Sequence, residues 1–204
     1  RNGGVDVTDD QHDIRSLLDH NRLEAPHDLG GLHCVCARPD AERVVRWQRS
    51  RIPQMEPLVD GWNVAGWTTQ AAQMGGHLMD WCVLPNGNLT LAVGSAAGSS
   101  CEASLTAAAL HGALKALAGT TPDVRGLFTR LNDSFWISSA GDHHAGLAYA
   151  SIEPETGSLE FLAAGPTHGL LLRGDQIDSL PSRAPALGVE PDLSARATRS
   201  VMRP

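Results

Sequence analysis

Charged residues are scarce in this sequence, and basic residues are scarcer than acidic ones. Asp, Glu, Lys and Arg together form 19% of the 204 residues, below the roughly 25% of an average soluble domain. The 16 Lys and Arg residues against 23 Asp and Glu give a formal net charge of −7, without a basic run. Because phosphate backbones and anionic lipids attract cations, we expect neither nucleic acid nor a membrane as a partner.

Charge is entirely missing from residues 81–101. A bilayer span needs roughly 20 predominantly apolar residues, so the length of this stretch calls for the comparison. Pro85, Asn86 and Gly87 interrupt it, and further Asn, Thr and Ser residues follow. The stretch is therefore predicted to form a strand, a turn, a second strand and a loop.

Cysteine is also rare. The four cysteines Cys34, Cys36, Cys82 and Cys101 are too few and too irregular for a disulfide scaffold, so we expect the cytoplasm. No apolar leader follows Arg1, and we expect a piece of a longer protein without a signal peptide. Cys34 and Cys36 have the spacing of some metal sites, but the absence of a second cysteine pair favours ordinary packed or idle thiols.

Hydrophobic residues form 42% of the chain, enough for a packed core, and their periodicity suggests two regions. Residues 1–52 read as a linker and helical arm, with helices at 13–23 and 40–51. Residues 53–204 read as a domain in which hairpins stand on both sides of a helix pair. This arrangement predicts an α+β fold rather than alternating βαβ units. The predicted strands lie at 62–68, 78–84, 88–94, 147–152, 159–163, 170–173 and 176–180, and the two helices begin after Ser99 and after Thr121.

A series of local strings recurs in a characteristic order along the chain. They are residues 61–65, 75–81, 84–87, 93–98, the small-residue helix from residue 103, and residues 130–132, 149–157, 164–165, 170–173 and 186–189. Taken in order, these strings resemble the SpoIIE-type, RsbU-like bacterial serine phosphatases of the metal-dependent PPM fold. The similarity extends from about residue 48 to residue 189, and it implies an αββα β-sandwich flanked by helices, here without its last C-terminal elements.

The same strings depart from the family pattern where acids are expected. An acidic residue normally follows the Gly-Gly pair, where this chain has His77, while Asp80 three positions later is kept. A second acid normally begins the loop after the next strand, where this chain has Ser95 followed by Ala96. The family string N-A-G-H is replaced at residues 163–166, and the family's third acid lies in a string beyond Pro204.

These replacements bear directly on catalysis. By resemblance, a PPM enzyme holds two Mg²⁺ or Mn²⁺ ions, which activate a water to attack phosphoserine or phosphothreonine. Hard divalent ions need anionic oxygen ligands, and the pair His77 and Ser95 supplies no negative charge. We therefore expect no catalytic residues, no metal site and no cofactor, and we interpret the domain as a pseudophosphatase. The alternative is an active enzyme that uses Mn²⁺ or Mg²⁺ with altered ligands.

Other candidate residues have simpler interpretations beside the functional ones. Asp80 is either an acid that orients a neighbouring group or a strand-end carboxylate bonded to backbone. The adjacent His143 and His144 are predicted to lie in an exposed loop, because neighbouring side chains in extended chain point apart. The glycine-rich loop before the first helix of the pair, with Gly94, Gly98 and Ser99, could still bind an anion.

The resemblance also implies partners. Members of this family commonly dephosphorylate an anti-anti-sigma factor in partner-switching pathways. We therefore expect a signalling domain that binds a protein, such as a STAS-like anti-anti-sigma factor or an upstream sensor domain, or that forms a homodimer. A third hypothesis is a sensor that uses the former catalytic cleft to hold phosphate or a small molecule.

Overall fold

The computed structural model describes residues 38–68, 75–98, 100–139 and 142–202. The predicted helix at 13–23, the pair Cys34 and Cys36, and Ser99 lie outside the described residues. Helices and strands follow one another much as the sequence predicts. The elements are α1 (Arg38–Arg51), β1 (His77–Val83), β2 (Leu89–Ala96), α2 (Ser100–Ala118), α3 (Val124–Ser139), β3 (Ala145–Glu153), β4 (Ser158–Ala164), β5 (His168–Arg173), β6 (Gln176–Pro181) and β7 (Thr198–Val201).

The strands form two antiparallel sheets. The larger has five strands in the order β1-β2-β3-β4-β7, and the smaller is the two-stranded hairpin of β5 and β6. A tight turn joins β1 to β2, in which the amide of Gly87 donates to the carbonyl of Leu84 at 2.9 Å. The predicted turn at residues 85–87 is confirmed.

The helix pair α2 and α3 covers one face of the large sheet. Apolar residues at helical spacing in both helices pack onto alternate residues of the strands. This pattern arises because one face of a helix recurs every 3.6 residues and one face of a strand every second residue. Leu110, Phe128, Leu131 and Leu147 have no exposed surface at the centre of this layer. The cluster also contains Leu78, Ala92, Leu114, Ala118, Val124, Leu127, Phe135, Ala145, Tyr149, Leu162, Ala164, Leu187 and Ala195.

The β5–β6 hairpin covers the opposite face. Leu171 and Leu180 of the hairpin are buried against Leu159 and Phe161 of β4, together with Val64, Leu89, Ala148, Ile152 and Ala163. Three consecutive layers of the predicted αββα order are therefore present in the described residues: helices, large sheet and small sheet. The predicted α+β, helix-flanked PPM-like fold is confirmed.

Two local predictions are wrong. The segment 62–68 forms no strand: its backbone pairing is the isolated bridge between Val59 and Trp62, and the Trp62 side chain is held separately, by an indole N–H that donates to the Pro154 carbonyl at 3.2 Å. Trp67, in the same segment, is 78% exposed. Helix α3 begins one residue after Asp123, whose carboxylate accepts from the Gly126 amide at 2.6 Å and so acts as the N-cap instead of Thr121.

The sequence prediction also omitted β7. Its residues Thr198–Val201 alternate between half-buried and exposed positions and carry little apolar signal. The strand forms because β4 offers it a free edge, with Glu160 opposite Arg199. No helix among the described residues is long and apolar enough to cross a membrane.

Candidate functional site

The two positions where the resemblance requires acids face each other across neighbouring strands. His77 is the first residue of β1 and lies opposite Ser95 of β2, which in turn lies opposite Gly146 of β3. The His77 side chain is exposed and Ser95 is half-buried. The structure therefore brings together an imidazole and a hydroxyl, and neither carries a fixed negative charge.

Both residues line a cavity between the large sheet and the β5–β6 hairpin. The cavity has a volume of about 510 Å³. Thr167 and His168 add polar groups, and Pro166, at the replaced N-A-G-H string, lines it as well. The remaining lining is mainly aliphatic and includes Leu91, Val93, Ala148, Ala150, Ile152, Leu159, Phe161, Leu170, Leu171 and Leu180.

In the predicted anion-binding loop, two backbone amides are already hydrogen-bonded to carbonyl groups of the protein. Gly94 lies inside β2 rather than in the loop, opposite Leu78 and Leu147. The amide of Ala96 donates to the Gly76 carbonyl at 2.8 Å, and that of Ala97 donates to the His144 carbonyl at 3.1 Å. These two amides are therefore not available to a phosphate.

Beyond these amides the loop turns at Gly98, beside the carboxylate of Glu102. Gly98 has a φ of 112°, and a Cβ placed there would lie 3.0 Å from the Glu102 carboxylate. The same carboxylate lies 3.4 Å from Nδ1 of His143. A negative group beside the turn repels an anion, although His143 offsets part of that charge when it is protonated.

Asp80 lies on the other face of β1 from His77 and is directed at helix α2. Its side chain is 6% exposed, and its Oδ2 lies 3.0 Å from His111 Nε2 and 2.6 Å from Lys115 Nζ. Burial raises the pKa of Asp80, but the hydrogen bonds and charges of His111 and Lys115 outweigh burial and lower that pKa below its ordinary value. Asp80 thus ties sheet to helix as an ionised carboxylate.

A second polar group follows on the same face of the sheet. Burial raises the pKa of Tyr149 to about 12, while a hydrogen bond with Thr90 acts in the opposite direction. The Thr90 hydroxyl donates to the Cys82 carbonyl at 3.1 Å. These groups lie between sheet and helices, so they stabilise the layer behind the site and do not face the cavity.

Sequence reasoning missed His111, Lys115 and the pairing of Glu102 with His143. His111 and Lys115 are four residues apart and therefore share one face of α2, which was a usable signal. Their partner on β1 was not evident, because strand and helix are joined only by the packing of distant segments. His143 is exposed, as predicted, whereas His144 beside it is half-buried, and no ionic partner was foreseen for His143.

The described residues do not fit the two divalent ions that the fold implies. His77 and Ser95 would be neutral ligands, and the Ala96 side chain has no ligand atom. The carboxylate of Asp80 is on the opposite face and already bonded to a cation. Within the described ranges no group of three or more His, Cys, Asp or Glu residues is arranged to hold a metal ion.

Comparison with known proteins agrees with this fold. A family model described as stage II sporulation protein E (SpoIIE) matches residues 85–204. No curated protein sequence matches the chain.

Solved structures with the same fold include a bacterial phosphatase domain. The RsbU and RsbW domains of Rv1364c from Mycobacterium tuberculosis match with a TM-score of 0.52 and 23% identity, over 66% of this chain and 38% of that one. The PP2C phosphatase domain of SpoIIE from Bacillus subtilis matches with a TM-score of 0.57 and 15% identity, over 64% and 39%. RsbX in complex with magnesium matches with a TM-score of 0.53 and 17% identity, over 64% and 62%.

The matched part therefore spans about two fifths of the first two chains, at 38% and 39%. At these identities, the structural matches establish the fold, and the family model supplies the relationship in sequence.

Proposed function

Because this chain belongs to the family of stage II sporulation protein E (SpoIIE), we propose that it is a pseudophosphatase domain of bacterial signalling, which acts by binding a protein. The observation that carries the proposal is the pairing of His77 with Ser95 at the position where a metal-dependent phosphatase needs carboxylates.

The electrostatics of that pair support the proposal that the domain does not hydrolyse phosphate. Two divalent ions bring a combined charge of +4 into one site, and bridging carboxylates normally offset part of it. A neutral imidazole and a hydroxyl leave the charge uncompensated. Asp80 does not replace them, because moving its carboxylate to the cavity would leave His111 and Lys115 without their shared partner.

The partner follows from the family relationship. One matched structure contains RsbU and RsbW domains of one protein, and another is described as the bacterial stressosome, a modular system adapted to control secondary messenger signalling. By analogy, this domain takes part in partner-switching control of sigma factors in the cytoplasm. Its partner is a STAS-like anti-anti-sigma factor or an upstream sensor domain, and homodimerisation is the alternative mode of association.

Metal binding tests the proposal directly. Titration calorimetry with MnCl₂ is expected to give no saturable heat for the wild type. The variant His77→Asp/Ser95→Asp is expected to bind Mn²⁺, because it restores two anionic ligands on facing strands. The control variant Thr129→Asp/Ser134→Asp adds the same charge at exposed positions of α3 and is expected to give no saturable heat with Mn²⁺.

A phosphatase assay supplies the decisive contrary result. If the wild type hydrolyses p-nitrophenyl phosphate with Mn²⁺ and His77→Ala abolishes that turnover, the domain is an enzyme and the proposal is wrong.

The competing hypothesis of an active Mn²⁺- or Mg²⁺-dependent enzyme rests on Glu102. Its carboxylate lies beside the turn at Gly98, one loop away from Ser95. If this acid served as a displaced ligand, Glu102→Gln would abolish metal-dependent turnover, whereas the exposed Glu155→Gln would not. The sensor hypothesis rests on the cavity itself, and a rise in melting temperature on addition of inorganic phosphate would favour it.

A further inference from the structure

Helix α1 is strongly basic in a chain that is acidic overall. Its 14 residues contain five arginines against Asp40 and Glu42, whereas the whole chain has a net charge of −7. The arginines are separated by other residues and do not form a run in sequence. Only the helical conformation shows whether they form one surface.

The buried side of α1 is fixed against the rest of the domain. Val45 is 6% exposed and Gln48 is 8% exposed. The Gln48 amide donates to the Gly75 carbonyl at 2.6 Å and to the Ser104 hydroxyl of α2 at 3.1 Å. Because Val45 and Gln48 are three positions apart, they share one face of the helix, and this face sets its rotation.

The remaining face carries the arginines. Arg43, Arg46 and Arg49 recur at a spacing of three, are exposed, and extend over about 9 Å of the helix axis. Within the part of the chain that the structure describes, none of them takes part in an ion pair. The three residues, called here the arginine face, present three guanidinium groups to solvent, with the exposed Glu42 one helical turn before Arg46.

The C-terminal end of α1 lies near the candidate site. At the end of α1 the guanidinium of Arg51 stacks over the ring of Trp47, 4.8 Å from its centroid. Trp47, Arg51 and His77 line one small cavity of about 30 Å³. The end of α1, two residues beyond Arg49, is therefore close to His77.

We propose that the arginine face of α1 docks an acidic segment of a protein partner. The inference rests on the proposed function, because it supplies the surface through which a pseudophosphatase would bind. Charge complementarity selects an anionic partner, and guanidinium groups pair with carboxylates through paired N–H donors.

Two observations favour a short protein segment over the other polyanions. The net charge of −7 repels an extended phosphate backbone or an anionic bilayer once it passes beyond the helix. A membrane-binding helix also needs an apolar face to insert, and Trp47, at 43% exposed, is the one large apolar side chain that α1 exposes among its described residues.

A peptide-binding experiment tests the inference. The probe is a fluorescein-labelled peptide of about 12 residues with glutamates at helical spacing, and the reference peptide carries glutamine at the same positions. Fluorescence anisotropy is expected to show binding of the glutamate peptide alone. The affinity is expected to fall as NaCl rises from about 0.1 M to about 1 M, where the Debye length shortens from about 10 Å to about 3 Å.

The variant Arg43→Gln/Arg46→Gln/Arg49→Gln is expected to bind the peptide about tenfold more weakly, since each exposed ion pair contributes up to about fivefold. The control Arg125→Gln/Arg183→Gln/Arg196→Gln removes the same charge from exposed positions elsewhere and is expected to lose less than about twofold. Equal losses in the two variants would show that net charge alone acts, and the inference would be wrong.

Duplex DNA and vesicles containing phosphatidylserine serve as competing probes. Tighter binding of either to the arginine face than of the peptide would overturn the choice of a protein segment. The result is separable from the proposed function: if the wild type turns over phosphate with Mn²⁺ and still loses peptide affinity in the α1 variant, the docking surface stands and the pseudophosphatase interpretation fails.

Discussion

Removal of the Asp80 carboxylate offers a quantitative test of how the layer behind the site is held together. In Asp80→Asn the side chain keeps its size and loses its charge. His111, whose side chain is 12% exposed, then lacks an anionic partner in a nearly buried position, whereas Lys115, at 47% exposed, can turn to water. The larger part of the cost therefore comes from His111.

The magnitude follows from these two exposures. A buried hydrogen bond to a charged group contributes about 1.5–3 kcal/mol, and a half-exposed ion pair about 0.2–1 kcal/mol. We expect Asp80→Asn to lower the free energy of unfolding by about 2–4 kcal/mol. Lys115→Met should lower it by less than about 1 kcal/mol, because its ammonium group is largely solvated in either state.

The assay is urea unfolding at neutral pH, followed by tryptophan fluorescence and circular dichroism. Asp178→Asn is the matched control, because Asp178 pairs with Arg173 at the same 3.0 Å while both side chains are exposed, at 52% and 41%. It should cost less than about 1 kcal/mol. Equal losses in Asp80→Asn and Asp178→Asn would refute the argument that burial makes the Asp80 cluster important.

The pH dependence of stability is a second, independent test of the role of Asp80. The pKa of Asp80 in the folded chain is below its ordinary value of 3.8, so the folded state binds the proton less readily than the unfolded state. The stabilisation is therefore complete well above pH 3.8 and is lost as the pH falls through the folded value. The difference between wild type and Asp80→Asn should shrink in that acidic range.

Three further predictions concern the same layer and the loop that packs on it. Asn132→Leu should lower the free energy of unfolding in urea by about 2–4 kcal/mol, because the fully buried side-chain amide donates to the Glu190 and Pro191 carbonyls and accepts from the Gly188 amide. The control Asp133→Ala, at an exposed position, should lower it by about 0.5 kcal/mol or less. Gly188→Ala should cost about 1–3 kcal/mol, because its φ is 85° and a Cβ would lie 2.6 Å from the His143 carbonyl oxygen; a stability equal to wild type would contradict that geometry. Wild type should lose stability relative to Tyr149→Phe as the pH rises from 10 towards about 12, because burial keeps the Tyr149 phenol protonated in the folded state while the unfolded chain ionises. If the free energies of unfolding of the two proteins changed in parallel with pH, this prediction would be contradicted.

The pairing at the candidate site was nearly determined by local sequence. The turn around Asn86 sets the register of β1 and β2, and in an antiparallel hairpin each residue pairs with the one equally far from the turn. His77 and Ser95 are both nine residues from Asn86, so the turn alone places them opposite each other. The resemblance then identified what each position should contain.

The cavity and the ionic cluster could not be predicted in this way. Thr167 and His168 line the cavity with His77 only because the β5–β6 hairpin folds over the sheet, and hydrophobic packing of Leu171 and Leu180 decides that placement. Asp80 meets His111 and Lys115 because helix α2 crosses β1, a contact between segments about thirty residues apart. Local periodicity carries no information about either contact.

The charged residues also divide into those that the sequence made evident and those that only the fold brings together. Residues 81–101 lack charge in the sequence itself, and the family resemblance identified Ser95, within that stretch, as the position of a missing acid. The arginines of α1 did not stand out, since spaced residues become one surface only when a helix places every third or fourth side chain on the same side. The sequence by itself determined which charges this protein has and which it lacks. The tertiary structure alone decided which of them meet, because burial of Val45 and Gln48 orients α1 and packing of distant segments sets every other encounter.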